Sequence, residues 1–183
     1  LHIQACDMKK YVSVLNDFWE YKKTDIFNNK VVYLDQPYEV DGIESNDCDN
    51  KVLKVIMSVI DKERLIIKMH PRVRKNKYSE MGLQYYSDSS VPWELFALNG
   101  DLDNSLVVSM FSVALINPQL YWNVAQSAVA LCKCEEFYFS LCDEQGIYTD
   151  VINKKKLAYL PQTEADFVDI LNNYKNGTLI RLS

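Results

Sequence analysis

The chain has 183 residues, 48% of them hydrophobic and 25% charged, with 20 Lys+Arg against 25 Asp+Glu and a formal charge of −5. At roughly 100–200 residues per domain this is one domain with a sizeable core, which leaves no room for a two-domain enzyme. The negative balance argues against a broad electrostatic footprint for nucleic acid, so any bound anion has to be held locally.

The longest mostly apolar stretch, Leu106 to Ile116, is interrupted by Ser109 and Ser112. It is far shorter than the roughly 20 residues of a membrane-spanning helix. Residue 1 is Leu, and Asp7, Lys9 and Lys10 do not build the basic region and apolar core of a secretory signal, so a fragment or a processed product is expected. Cys6, Cys48, Cys132, Cys134 and Cys142 are odd in number and lack the spacing of a disulfide framework, which suits a reducing, cytoplasmic setting. Cys132-Lys133-Cys134 would need further ligands to hold zinc, and His2 and His70 are remote in sequence. No metal and no cofactor is expected.

In chain order, Tyr11, Val14, Leu15, Phe18 and Trp19 have helical spacing and are followed by the polar stretch Lys22 to Lys30, so residues 1–30 read as a helix and a linker. Residues 31–183 read as the α/β domain proper. Val31-Val32-Tyr33-Leu34 is a buried strand that stops at Asp35-Gln36-Pro37. An acidic loop, Glu39 to Asn50, precedes a helix whose apolar face is Val52, Leu53, Val55, Ile56, Val59 and Ile60, with Asp49 or Asn50 as its N-cap.

Arg64 to Met69 is the next strand, ended by His70-Pro71 and followed by the basic loop Arg72, Arg74, Lys75 and Lys77. A short extended piece falls near Leu83 to Tyr86. Ser90, Pro92 and Glu94 open a short helix through Leu98. After the turn at Asn99-Gly100-Asp101, Ser105 to Phe111 is a strand, and Ser112 to Leu115 begins a helix. Ser127 to Cys132 and Glu136 to Phe139 are further strand candidates, and Thr163 caps a last amphipathic helix carrying Phe167, Val168, Ile170 and Leu171.

Continuously apolar strands alternating with helices predict a three-layer, doubly wound parallel sheet. In such sheets ligands sit outside the carboxyl ends of the strands. Asp35, Gln36, His70, Pro71, Ser109 and Ser112 all fall there.

His70, stopped at the sheet edge by Pro71 and followed by Arg72, would suit a phosphate as a hydrogen-bond donor; the plain alternative is a strand-end histidine bonded to backbone. Ser112 stands where a helix N-terminus attracts anions, or is simply an N-cap. Glu94 is the natural acceptor for two ribose hydroxyls, or the acidic member of a capping box. Asp101-Leu102-Asp103 is like the D-x-D of metal-dependent sugar transferases, but in a turn it reads as turn chemistry. There is no glycine-rich dinucleotide fingerprint and no P-loop.

The order Tyr33-Leu34-Asp35-Gln36-Pro37, Lys68-Met69-His70-Pro71-Arg72, Val91-Pro92-Trp93-Glu94-Leu95 and Val108 to Leu115 resembles the C-terminal half of bacterial sialyltransferases of glycosyltransferase family 52. The wider group shares a histidine-proline motif and a serine motif with bacterial polysialyltransferases. The resemblance spans about residues 30–135. It implies a Rossmann-like half of a GT-B glycosyltransferase that binds the CMP part of CMP-N-acetylneuraminic acid.

By that likeness His70 contacts the donor phosphate and assists the leaving CMP, Ser112 with Ser109 holds the phosphate, and Glu94 takes the ribose hydroxyls. The segment from Tyr33 to Pro37, with Asp35 and Gln36, lines the cleft. The serine motif departs from the family, with Val113 after Ser112. Glu39-Val40-Asp41-Gly42 has only a superficial likeness to the family's acidic-acidic-glycine motif, which belongs to the N-terminal half and carries the catalytic base. The resemblance therefore implies a donor-binding half that needs the other half for catalysis, no metal, and a surface glycan as acceptor. Peripheral contact with the inner membrane face through a glycolipid acceptor is compatible with it. Two alternatives remain open at this point: a GT-B donor domain for another nucleotide sugar, and a non-catalytic flavodoxin-like interaction or receiver module.

Overall fold

A computed structural model describes residues 5–43, 47–73, 76–88, 90–137 and 146–179, with 5 and 6 as backbone only. Five parallel strands, β1 (Val31–Leu34), β2 (Leu65–Lys68), β3 (Gln84–Tyr86), β4 (Leu106–Ser109) and β5 (Ser127–Ala130), form one sheet in the order β3-β2-β1-β4-β5. β1, β2 and β4 are buried at every position, as their mostly apolar runs require, and the polar Lys68 and Ser109 that close β2 and β4 are buried with them. Val31 pairs with Leu65 on one side and Leu106 on the other, so the carboxyl ends of the central strands are level and form one edge.

The chain winds outward from β1 to β3, then returns across the sheet to β4 beside β1. Right-handed crossovers in opposite directions place their helices on opposite faces. α2 (Cys48–Val59) accordingly packs with α6 (Glu164–Lys175). α3 (Trp93–Leu98) packs with α1 (Ala5–Phe18) and α4 (Asn117–Trp122), and α5 (Gly146–Lys155) precedes α6 in the chain. This is the Rossmann-like α/β architecture that the element pattern predicts. The strand order also differs from the 2-1-3-4-5 order of flavodoxin-like and receiver domains, which removes the flavodoxin-like fold of that alternative. The winding reverses between β1 and β4, and that switch point lies between Asp35-Gln36 and Ser109.

Phe27 anchors the core, its ring 4.9 Å from Phe96, 5.4 Å from Trp93 and 5.5 Å from Tyr86. The contacts with Phe96 and Trp93 are edge-to-face, an arrangement that adds to the burial of the rings themselves. α1 docks on α3 through a reciprocal amide pair, Asn16 with Asn99, each N–H to O distance being 2.8 Å. No helix among the described residues is long and apolar enough to cross a membrane.

Several local expectations change. α2 begins at Cys48 behind a left-handed Asp47 without a side-chain cap, so neither Asp49 nor Asn50 caps it; Asp49 is buried instead. α3 begins after Pro92, and Ser90 bonds to Asp88 rather than capping. The helix expected from Ser112 is a single 3-10 turn, Val113–Leu115, because Pro118 starts a separate helix at α4. Residues 135–137 form a 3-10 turn and not a strand; 138 and 139 lie outside the described residues. Thr163 does cap α6, in a capping box with Asp166 at 3.2 Å, an arrangement worth about 1 kcal/mol.

Cys48, Cys132 and Cys134 are buried thiols, while Cys142, His2 and the Cys6 side chain lie outside the described residues. Burial and the neighbouring Glu136 carboxylate push the Cys134 thiol up to about 12, so it stays protonated. Among the described residues no group of three or more His, Cys, Asp or Glu is arranged to hold a metal ion.

Candidate functional site

The switch point is built from the last residue of β4 and the two residues after β1. Ser109 is fully buried, and its hydroxyl donates to the Leu34 carbonyl at 3.3 Å. Its one proton is thereby used within the sheet, and it accepts from Gln36 Nε2 at 3.4 Å. Gln36 Nε2 donates also to the Asp35 carbonyl at 3.0 Å. Both amide protons are thus spent, and Oε1 is left as an acceptor. Ser109 therefore sits where the sequence put it, but its geometry suits holding Gln36 rather than donating to a phosphate.

Asp35, 3% exposed, accepts the Tyr78 hydroxyl at 2.5 Å and the Gln36 backbone N–H at 2.9 Å on Oδ1. Burial raises its pKa from 3.8 to about 6, and the nearby Asp49 raises it too. The Tyr78 hydroxyl, Lys77 and the His70 backbone N–H pull the other way, in that order of strength. Oδ2 is buried with no hydrogen-bond partner among the described residues. Asp49 lies below it, accepting the Tyr33 hydroxyl at 2.5 Å and paired with Lys77 at 2.7 Å. Lys77 is thus a neutralising partner of buried carboxylates and not part of a free basic loop; Arg74 and Lys75 lie outside the described residues.

His70 stands at the corner where β2 turns. Val73 N–H closes a turn onto the His70 carbonyl at 3.0 Å, with Pro71 in its second position, where a fixed φ is already suitable. His70 Nδ1 accepts the Arg72 backbone N–H at 3.2 Å, so the neutral ring carries its proton on Nε2. Partial burial, then Arg72 and Lys68, hold the imidazole pKa below its ordinary 6.5 against the pull of Asp41. Arg72 grips Asp41 with both terminal nitrogens, the Nη2 to Oδ2 distance being 2.8 Å. This pair ties the loop after β2 to the loop after β1, and it occupies the Asp41 of Glu39-Val40-Asp41-Gly42.

Ser112 precedes the 3-10 turn, but its hydroxyl makes no cap bond. Its carbonyl accepts the Tyr148 hydroxyl at 3.0 Å, which fixes the backbone while the side chain stays half-exposed. A three-residue 3-10 turn has little dipole, so the anion attraction expected of a helix start is absent, and only the hydroxyl remains. Glu94 accepts from Asn117 Nδ2 at 2.9 Å, which links α3 to α4 on the side of the sheet that carries Ser112. Direct hydrogen bonds join Asp35, Gln36 and Ser109, and the His70 backbone N–H also acts on the Asp35 carboxylate; among the described residues no hydrogen bond joins the His70 ring or the Glu94 and Ser112 side chains to that group.

Two features went unread in the sequence. Lys68, the last residue of β2, is 5% exposed, donates to the Asp88 carbonyl at 3.0 Å and lies 5.2 Å over the Tyr86 ring. Burial lowers its pKa from 10.5 to about 8. A lysine closing an otherwise apolar strand was the available signal. The Asp35–Tyr78 and Asp49–Lys77 contacts span 43 and 28 residues and have no local signature. Asp101 of the D-x-D is fully buried, held by the Tyr21 hydroxyl and the Thr24 N–H at 3.0 Å, and is structural.

A family model described as alpha-2,8-polysialyltransferase (POLYST) matches residues 4–130, which include α1 and all five strands. No curated protein and no solved structure matches the chain.

Proposed function

The chain belongs to the alpha-2,8-polysialyltransferase family, a group of sialyltransferase-type glycosyltransferases, and on that premise we propose that it is the donor-binding half of such an enzyme, taking CMP-N-acetylneuraminic acid. The single observation that carries the reading is the His70-Pro71 turn just past the carboxyl end of β2, which satisfies Nδ1 from the Arg72 backbone and leaves the protonated Nε2 without a hydrogen-bond partner among the described residues. The family-52 likeness and the assignment to a C-terminal GT-B half are parts of this proposal.

In sialyl transfer the bond between the anomeric carbon and the phosphate oxygen breaks, and negative charge builds on the departing CMP. Fixed donors at that phosphate stabilise the transition state more than the ground state. His70 Nε2–H is one such donor, and the uncommitted Ser112 hydroxyl is the second. Gln36 Oε1 is an acceptor, so it suits a hydroxyl or amino group of the donor and not its phosphate. Glu94, with one oxygen held by Asn117, keeps the other for a ribose hydroxyl. Ser109 supports Gln36, and Arg72 joins the phosphate only on leaving Asp41.

CMP is a good leaving group, so the proposed transfer needs no metal. The base that activates the acceptor hydroxyl belongs to a second half, and the acceptor is a surface glycan reached from the cytoplasmic side, with peripheral membrane contact if that glycan is lipid-linked.

Calorimetric titration with CMP, UDP, GDP and AMP, each with and without EDTA, tests this. Selective CMP binding that survives EDTA is the expected result, with Lys154→Ala, an exposed position on α5, as the unchanged control. Preference for UDP or GDP would keep the donor site and replace the sugar. Absence of nucleotide binding by the full-length protein would sink the proposal.

A further inference from the structure

At the amino ends of the strands, on the edge opposite His70, lies a cavity of about 390 Å³. Its walls come from the residues that precede β1, β2 and β4, from the first residue of β5, and from the end of α6. That volume lies within the range of small-molecule sites. Among the described residues the lining holds two cations, Arg64 and Lys175, with amides and hydroxyls and no carboxylate, in a chain whose net charge is −5.

The cations are not equivalent. Lys175 donates to the Val59 carbonyl at 2.7 Å, which offsets the negative end of α2. The Arg64 guanidinium lies 5.2 Å over the Tyr174 ring, and Nε reaches the Asn29 carbonyl at 3.4 Å. The Tyr174 hydroxyl is itself fixed on the Asn104 carbonyl at 2.8 Å. The ring contact and a hydrogen-bond interaction with Tyr174 hold the guanidinium at the cavity, and neither terminal nitrogen of Arg64 has an acidic partner among the described residues. A guanidinium fork matches a carboxylate in two parallel hydrogen bonds. Asn29, Asn104 and Ser127 surround it with side-chain groups suited to sugar hydroxyls.

We propose that this cavity binds a carboxylate-bearing sugar, with Arg64 on the carboxylate and Asn29, Asn104 and Ser127 on the hydroxyl groups. It is a second carbohydrate site, on the far edge of the sheet from the donor site. Only the choice of sialic acid as probe rests on the family reading, and the cavity's geometry does not depend on the donor assignment. An enzyme that handles an acidic glycan can use such a site to keep hold of a chain at a distance from the reacting end.

The test is NMR titration of the full-length protein with a trimer of α2,8-linked N-acetylneuraminic acid, with neutral N-acetylglucosamine trimer and inorganic phosphate in parallel. The expected result is saturable shifts at Asn29, Asn104 and Ser127 with the sialyl trimer. Arg64→Lys should weaken that binding roughly tenfold, since lysine keeps the charge and loses the fork. Ser127→Ala, which removes a hydroxyl with no hydrogen bond among the described residues, should weaken it about two- to threefold while leaving the fold unchanged. CMP affinity should be the same in both variants, which separates this site from the donor site. Equal binding of the neutral trimer, equal binding of phosphate, shifts confined to the carboxyl edge, or no saturable shift at all would each overturn the proposal.

Discussion

The Arg72 backbone N–H donates to His70 Nδ1 at 3.2 Å, while the same residue's guanidinium grips Asp41 across from the loop after β1. One residue therefore sets the tautomer of the imidazole and joins the two loops that border the switch point. The imidazole pKa is held below 6.5, which favours the uncharged ring with its proton on Nε2 at neutral pH.

His70→Ala is expected to weaken CMP binding by about 1–3 kcal/mol, the usual cost of losing a hydrogen-bond partner to a charged group. A bound phosphate stabilises the imidazolium and raises the ring pKa in the complex. The difference between parent and variant should therefore widen as pH falls from about 7 to about 6. Calorimetry across that range measures it. A pH-independent difference would leave His70 as a neutral donor only, and no difference at all would remove it from the site.

Asp41→Asn is expected to release Arg72 and tighten CMP binding severalfold. The pair is solvent-exposed, with side-chain exposures of 55% and 29%, so its loss should cost stability no more than about 1 kcal/mol. Arg72→Ala in the Asp41→Asn background should cancel the gain. If it does not, Arg72 takes no part in phosphate binding.

Asp35→Asn addresses the buried carboxyl. Its folded pKa of about 6 lies above the ordinary 3.8, so the folded state holds the proton more tightly than the unfolded chain. The unfavourable contribution is absent below about pH 4, grows as pH rises through the interval between these two values, and is complete above about 6. Two pKa units correspond to roughly 3 kcal/mol. Urea unfolding from about pH 4 to pH 8 should show the parent losing stability by on the order of 2–3 kcal/mol relative to Asp35→Asn. Parallel curves would mean that Asp35 is not the titrating group.

The strands were readable because a sheet covered on both faces demands unbroken apolar runs, and Val31 to Leu34, Leu65 to Ile67 and Leu106 to Val108 are such runs. His70-Pro71 and Asp35-Gln36 were readable as residues of the carboxyl edge because they follow those runs. Helix starts were read less well. Asp49 looks like a cap only while its burial against Tyr33 and Lys77 is unknown, and Ser112 looks like one until Pro118 is seen to start its own helix.

The sequence alone determined the class of fold and a likeness to bacterial sialyltransferases, and it pointed to the carboxyl edge as the candidate site, since all three readings depend on local pattern and chain order. The tertiary structure decided what each site residue can still do. Ser109 gives its proton to Leu34, Gln36 gives both amide protons to Asp35 and Ser109, and Arg72 is held by Asp41. It also showed Arg64 stacked on Tyr174, 110 positions later in the chain, at the far edge of the sheet. Hydrogen-bond capacity is spent between residues that only folding brings together, so which donors remain for a ligand is a property of the packed sheet and not of any local stretch of chain.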